Sequence, residues 1–288
     1  MMIAPLELTG LTKVFDTPDG PFVAVKDVNA KVYKGEFVAI LGHSGCGKST
    51  VLSMMAGLSR ATLGGVVIDG TEVQGPGPER AVVFQAPCLL PWLTARENVV
   101  LAARQATVRD GPNTRSQTAR GAREAADRYL DLVGVGDVAD QLPGAMSLGT
   151  QQCVSLARAL ASEPRILLLD EPFSMLDSLT RFELQDILLR VWEEERRIVV
   201  MVTHDVDEAL YLADWLILMT DGPAATVGDL LTVPFPRKRT RTAVLAHPDY
   251  YACRKYVIDF LQHRAHRTPP SAIDDILRQR FSDGITPN

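Results

Sequence analysis

Gly42-His-Ser-Gly-Cys-Gly47-Lys48-Ser49 is the stretch whose reading decides the fold. It has the spacing G-x-x-x-x-G-K-[ST]. It follows the short apolar run Glu36-Phe-Val-Ala-Ile-Leu41, which reads as a strand, and it opens Ser49 to Leu58, which reads as a helix. Strand, glycine loop and helix form the setting in which this pattern cradles phosphate. The glycines let the backbone close around phosphate oxygens so that its amides point inward. Lys48 then reaches the β- and γ-phosphates, and the Ser49 hydroxyl binds Mg²⁺. The helix N-terminus adds unpaired amides and a favourable dipole.

Outward from the loop, Val66 to Asp69 and Ala81 to Phe84 are further strands between Gly and Pro turns. Residues 94 to 163 then change character, with three helical stretches and almost no β-branched runs. The first opens on Thr94-Ala-Arg-Glu97, the pattern of a capping box. Ala119 to Val133 and Gln151 to Ser162 are the other two, and the polar residues 105 to 117 read as a loop. Strand and helix alternate again with Ile166 to Leu169, Leu179 to Arg196, Ile198 to Val202, Asp205 to Ala213 and Trp215 to Met219. Such alternation implies a mostly parallel sheet with helices on both faces. The all-helical stretch interrupts that sheet. The basic run Arg237-Lys-Arg-Thr-Arg241 reads as a solvated loop, Pro248 to His266 as a helix, and Thr268 to Asn288 as a weakly ordered tail with one amphipathic piece at Ile273 to Phe281.

Three further signals stand where strands of an α/β sheet end, the edge at which such sheets bind ligands. Ile166-Leu-Leu-Leu-Asp170-Glu171 delivers two adjacent carboxylates: Asp170 to hold Mg²⁺ and Glu171 to polarise an attacking water. His204 follows the strand ending at Val202, within reach of a γ-phosphate. Gln85 follows the strand Ala81 to Phe84, and its amide suits both metal and water.

Together these residues resemble the nucleotide-binding subunits of ABC transporters over about residues 6 to 235. Gly42 to Ser49 looks like Walker A, Gln85 like the Q-loop, Leu167 to Glu171 like Walker B, Ser174-Met-Leu-Asp177 like the D-loop, and His204 like the switch histidine. Phe15 stands where the family stacks an aromatic on adenine. Met146-Ser147-Leu148-Gly149-Thr150-Gln151-Gln152-Cys153 looks like the signature loop. Leu148 stands in place of its first glycine and Cys153 in place of a basic residue. In the family this loop is offered across a dimer to the partner's γ-phosphate.

The resemblance implies an α/β fold with a P-loop NTPase (RecA-like) core and mostly parallel sheet, an N-terminal antiparallel β-subdomain and an inserted α-helical subdomain. The implied domains are 1–93 with 164–235 for the core, 94–163 for the helical subdomain and 236–288 for the C-terminal helix and tail. ATP and Mg²⁺ are the implied cofactors. ATP contacts are expected at Phe15, Gly42, His43, Ser44, Gly45, Cys46, Gly47, Lys48, Ser49, Thr50, Ser147 and Gly149, catalysis at Glu171, His204 and Gln85, and metal ligation at Ser49, Gln85 and Asp170. Membrane permease subunits, a second ATPase subunit and, indirectly, a substrate-binding protein are the implied partners. The altered signature favours a heterodimer over a homodimer. Leu89-Leu-Pro-Trp-Leu-Thr94, Met175 to Gln185 and Val202-Thr-His-Asp-Val-Asp-Glu-Ala209 bring the resemblance nearest to the ATPases of nitrate-type importers, relatives of the cyanate, bicarbonate and taurine or sulfonate systems.

Composition bounds the alternatives. The 288 residues are 46% hydrophobic and 23% charged, an ordinary globular balance, and the net charge of −5 argues against a nucleic-acid carrier. Cys46, Cys88, Cys153 and Cys253 lie far apart and read as reduced thiols. No run approaches the length needed to span a bilayer, and the N-terminus has no basic-then-apolar export pattern. Those absences make a cytosolic location the default expectation, and the resemblance implies a peripheral place on the cytoplasmic face of the inner membrane. A soluble ABC-type ATPase is the competing class, set back by the single cassette. A non-hydrolysing regulatory subunit is set back by intact Glu171 and His204.

Overall fold

The computed structural model describes residues 5–109 and 119–265. In chain order the strands are β1 (Leu6–Thr17), β2 (Gly20–Val32), β3 (Phe37–Leu41), β4 (Leu63–Ile68), β5 (Thr71–Glu72), β6 (Arg80–Val83), β7 (Ile166–Asp170), β8 (Ile198–Val202), β9 (Trp215–Met219) and β10 (Val227–Thr232). The helices are α1 (Lys48–Met55), α2 (Ala95–Arg109), α3 (Ala119–Leu132), α4 (Leu148–Ala161), α5 (Ser178–Glu195), α6 (Val206–Leu212), α7 (Arg241–Leu245) and α8 (Tyr250–Asp259). The chain packs as two compact units. One is built from the described residues up to Pro76 and from Val200 onward, the other from Gly77–Val199.

In the first unit an antiparallel sheet runs in the order β2-β1-β4-β5. Its β1–β2 ladder pairs Leu6 with Val32 and Phe15 with Phe22. A second set of strands is parallel: β3 pairs with β9 from Val38↔Trp215 to Leu41↔Leu218, and β10 closes antiparallel on β9. Every residue of β3 and β9 is buried. Full burial on both faces is why these strands read as continuous apolar runs rather than alternating ones. The last residues of β8 belong beside β3, since Thr203 N–H donates to Ile40 O at 3.2 Å. Asp205 caps α6, accepting from the amides of Asp207 and Glu208.

The basic run at 237–241 is not the solvated loop its composition predicts. Arg239 is buried and donates to the carbonyls of Tyr211 and Ala213, and both Arg237 and Arg239 pair with the buried Asp214. Arg241 lies over the Tyr211 ring, 4.2 Å from its centroid. Thr240 caps α7 within this stretch. A charge run reads as surface only while its partner, distant in sequence, is unknown.

In the second unit β6 and β7 pair in parallel, Arg80↔Ile166 to Val83↔Leu169. Arg165 and Ile166 anchor the start of β7 through Glu79 O, and Ile198 N–H donates to Arg165 O at the start of β8. Helices α2, α3 and α4 pack together, α3 burying Ala122, Ala126, Tyr129 and Leu130 at helical spacing. The predicted capping box forms: Thr94 N–H donates to Glu97 Oε2 at 2.9 Å and Glu97 N–H to Thr94 Oγ1 at 3.2 Å. Helix α2 continues to Arg109, through the start of the stretch expected to be a loop, and the rest of that expected loop lies largely outside the described residues. Helix α4 begins at Leu148, earlier than expected, because Ser147 caps it by accepting from Thr150 N–H at 3.1 Å. Helix α8 passes into a π-helical turn, Phe260–Arg264. The tail from 268 and its amphipathic piece lie outside the described residues.

Candidate functional site

The glycine loop leaves β3 at Leu41 and enters α1 at Lys48. A side chain at Gly42 would place its Cβ 2.6 Å from Cys46 Sγ and 3.2 Å from Met219 Cβ. Gly47 has φ of 94° as it caps α1, and a Cβ there would fall 2.4 Å from Val25 Cγ1. Gly47 requires glycine for both close packing and its left-handed backbone, while at Gly42 a Cβ would be crowded by Cys46 and Met219. Lys48 is only 5% exposed, and its Nζ donates to the carbonyls of Gly42 at 2.8 Å and His43 at 2.9 Å. A buried ammonium must be paired or hydrogen-bonded; here the loop's own carbonyls hold it within the turn. His43, Ser44, Gly45 and Ser49 are exposed, Thr50 is half-buried and Cys46 is buried, its thiol pushed up by desolvation against the lowering effect of Lys48.

His43 Nδ1 lies 2.5 Å from Asp221 Oδ1, just past the end of β9. An open cavity of about 690 Å³ is lined by His43, Ser44, Gly45, Asp221, Phe22 and Gln262, among others. Sequence reasoning misses Asp221, although a signal for it exists. The strand-end rule that finds Asp170 and His204, applied to Trp215 to Met219, points to it. His204 is exposed immediately after Thr203, at the same strand end as the loop. Phe15 is 41% exposed, with Lys13 Nζ 5.1 Å from its ring centroid and Phe22, also exposed, directly across the ladder. Phe15 is therefore not a core residue.

The second unit supplies a carboxylate edge. Asp170 ends β7 and Glu171 follows it, both half-buried. Glu171 adopts φ of 46°, a left-handed conformation that costs an L-residue roughly 1–2 kcal/mol. Gln85 Nε2 donates to Ser174 Oγ at 3.1 Å, and Ser174 Oγ donates to Glu171 O at 2.9 Å. The structure thus brings Gln85 and Glu171 together through a serine that sequence reasoning places in the D-loop without assigning it this job.

At the start of α4, Gly149 is buried, and a Cβ there would meet Thr180 Cγ2 at 2.6 Å. Leu148 beside it is 37% exposed. Cys153 is buried, and desolvation pushes its thiol up to about 11. The missing charge at 153 therefore belongs to a core position, and Leu148 is the exposed one of the two departures.

A glycine loop of this shape between a buried parallel strand and a helix, holding a buried lysine, defines a P-loop nucleoside triphosphatase. The family model described as ABC transporter matches residues 25–174. The chain is 49% identical over 252 residues to the nitrate import ATP-binding protein NrtD of Synechococcus elongatus, covering 88% of this chain and 89% of that one. It is 45% identical over 259 residues to the bicarbonate transport ATP-binding protein CmpD of the same species, covering 90% and 91%. Among solved structures it is similar to the ATP-binding cassette MJ0796, a dimer bound to ADP and Pi, with a TM-score of 0.69, 32% identity, and coverage of 80% of this chain and all of that one. The chain belongs to the ABC transporter family and is an ATP-binding ATPase. Among the described residues no helix is long and apolar enough to cross a membrane.

Proposed function

We propose that this chain powers an importer for nitrate or a related small anion, working at the cytoplasmic face of the membrane against permease subunits. The observation that carries the ATPase chemistry is the buried Lys48 amine held inside the glycine loop, where phosphate oxygens can take over from the Gly42 and His43 carbonyls. The anion class rests on the relatives, one a nitrate importer subunit and one a bicarbonate transporter subunit. Taurine or sulfonate is the alternative solute class. The helical segment 94–163 is read as a subdomain inserted into the core of 1–93 and 164–235, with 236–288 as a C-terminal appendage.

In this reading the amides of Gly42 to Thr50 bind the ATP phosphates, and Phe15 offers its exposed ring to the adenine. Ser49, Gln85 and Asp170 present a hydroxyl, an amide oxygen and a carboxylate, an all-oxygen set that suits Mg²⁺ alongside substrate phosphates. When bound, Mg²⁺ neutralises charge on the β- and γ-phosphates. Glu171 orients and deprotonates the attacking water, and Gln85 and His204 position it. Ser147 and Gly149 contact the partner subunit's nucleotide. Leu148 adds a side chain where backbone would approach phosphate, so we place this chain in a heterodimer with a second ATPase subunit, giving one strong and one weakened site. A substrate-binding protein engages the assembly indirectly.

The test is to tag the Glu171→Gln chain, trap it with MgATP in its native cells and identify what copurifies from solubilised membranes. A polytopic membrane protein together with a second ATPase supports both parts. A membrane protein with this chain alone keeps the transporter and overturns the heterodimer. Soluble partners alone overturn the transport reading.

A further inference from the structure

The segment between β6 and α2, residues 84–94, is held by side chains that come from elsewhere in the second unit. Gln152 Nε2, on α4, donates to Phe84 O at 3.0 Å. Arg158, two turns further along α4, donates from Nη1 to Cys88 O at 2.8 Å and from Nη2 to Pro87 O at 3.1 Å. The fully buried Asn98 accepts from Leu90 N–H at 2.8 Å and donates to the carbonyls of Leu90, Leu93 and Thr94 at 3.0–3.1 Å. Between these clamps the chain carries a backbone distortion: Cys88 has φ of 49°. A left-handed non-glycine residue persists only where its surroundings over-determine it. The two carbonyls that Arg158 grips are those of Cys88 and the residue before it. The segment also leaves Trp92 71% exposed and Phe84 38% exposed, and residues 84–94 carry no charged side chain.

We infer that Arg158 is a positioning residue that fixes the turn at Pro87–Cys88 to the signature helix, so that the Gln85 and Trp92 ends of the segment move with α4 as one piece. Its guanidinium makes two charge-assisted bonds in a planar fork, a geometry lysine cannot reproduce. Since α4 begins at Ser147 and Gly149, a displacement of the 84–94 segment is passed to the signature end of the same rigid helix. A permease seated on Trp92 would therefore govern the signature through Arg158, an inference that rests on the transport reading. Arg158 acts through the backbone of Pro87 and Cys88 and is not among the residues assigned to nucleotide or catalysis.

The test compares Arg158→Ala and Arg158→Lys with the natural chain, alone and in the transporter complex copurified from native cells. In the isolated chain, hydrogen exchange over residues 84–93 is expected to quicken about tenfold in Arg158→Ala, with residues 42–55 unchanged. The KM for ATP and the isolated chain's hydrolysis stay within about twofold, while the extra hydrolysis gained in the complex falls about tenfold or more. Arg158→Lys is intermediate. Unchanged exchange over 84–93, retained stimulation in the complex, or an equal fall in isolated and stimulated rates would each overturn the role. If Arg158→Ala does not fold, Arg158→Lys decides: full stimulation with lysine refutes the two-carbonyl grip. If no membrane partner copurifies even with the natural chain, the transport reading fails separately, and the exchange result alone stands for or against the positioning role.

Discussion

The phosphate loop at 42–50 and the segment at 84–94 are both loops that leave the C-terminal end of a parallel strand, yet they are shaped by opposite means. At 42–50 the backbone does the shaping: glycines at 42 and 47 fit places where a Cβ would collide, and Lys48 is held by carbonyls five and six residues back. At 84–94 side chains do it: Gln152, Arg158 and Asn98 reach in from two helices, and a non-glycine residue is held left-handed. The first kind of loop is written in its own residues. The second is written in residues up to 71 positions away.

The comparison can be broken most forcefully at its first half. Glu171→Gln should bind MgATP as the natural chain does and hydrolyse it ~100-fold or more slowly, because the general base is gone and the geometry is not. A loss of only two- or threefold in single-turnover hydrolysis would move the base elsewhere. Lys48→Ala should weaken ATP binding by roughly 100-fold, the worth of one to two charged hydrogen bonds. Unchanged affinity by calorimetry would mean that the amine never leaves the Gly42 and His43 carbonyls.

Gly47→Ala probes whether backbone shape, rather than the lysine alone, makes the loop. It adds a Cβ against Val25 at a φ of 94°, and about 1–3 kcal/mol of strain should appear as a lower thermal midpoint together with weaker ATP binding. A midpoint and an affinity both unchanged would show the loop to be less tightly fixed than its packing implies. The smallest effect is expected at Leu148→Gly. It should raise hydrolysis in the assembled dimer a few-fold, on the order of 1 kcal/mol at the transition state, while leaving ATP binding by the isolated chain alone. No gain would remove Leu148 as the reason for an unequal pair of sites.

Much of the site is legible in the sequence because its elements are local. Apolar runs ending at Leu41, Leu169 and Val202 mark buried strands, and the residues just beyond each run fall at the ligand edge by topology alone. The N-terminal sheet is expected only from family resemblance, since β1 and β2 are half exposed and broken by register shifts that blur their alternation. Strand β10 escapes sequence reading for a related reason: it is a half-buried edge strand, made a strand by its ladder with β9. The run at 237–241 misleads because charge looks solvated until Asp214 is found beside it.

By itself, the sequence determined the glycine loop, the succession of buried strands along the chain and the capping box at Thr94–Glu97, because each is written in residues close in the chain. Only the tertiary structure decided that Arg237 and Arg239 turn inward, that Cys153 belongs to the core, that His43 meets Asp221, and that Arg158 holds the turn at Pro87–Cys88. Each of these depends on a partner brought near by packing, and a hydrogen bond or ion pair of a few ångströms leaves no trace in spacing along the chain.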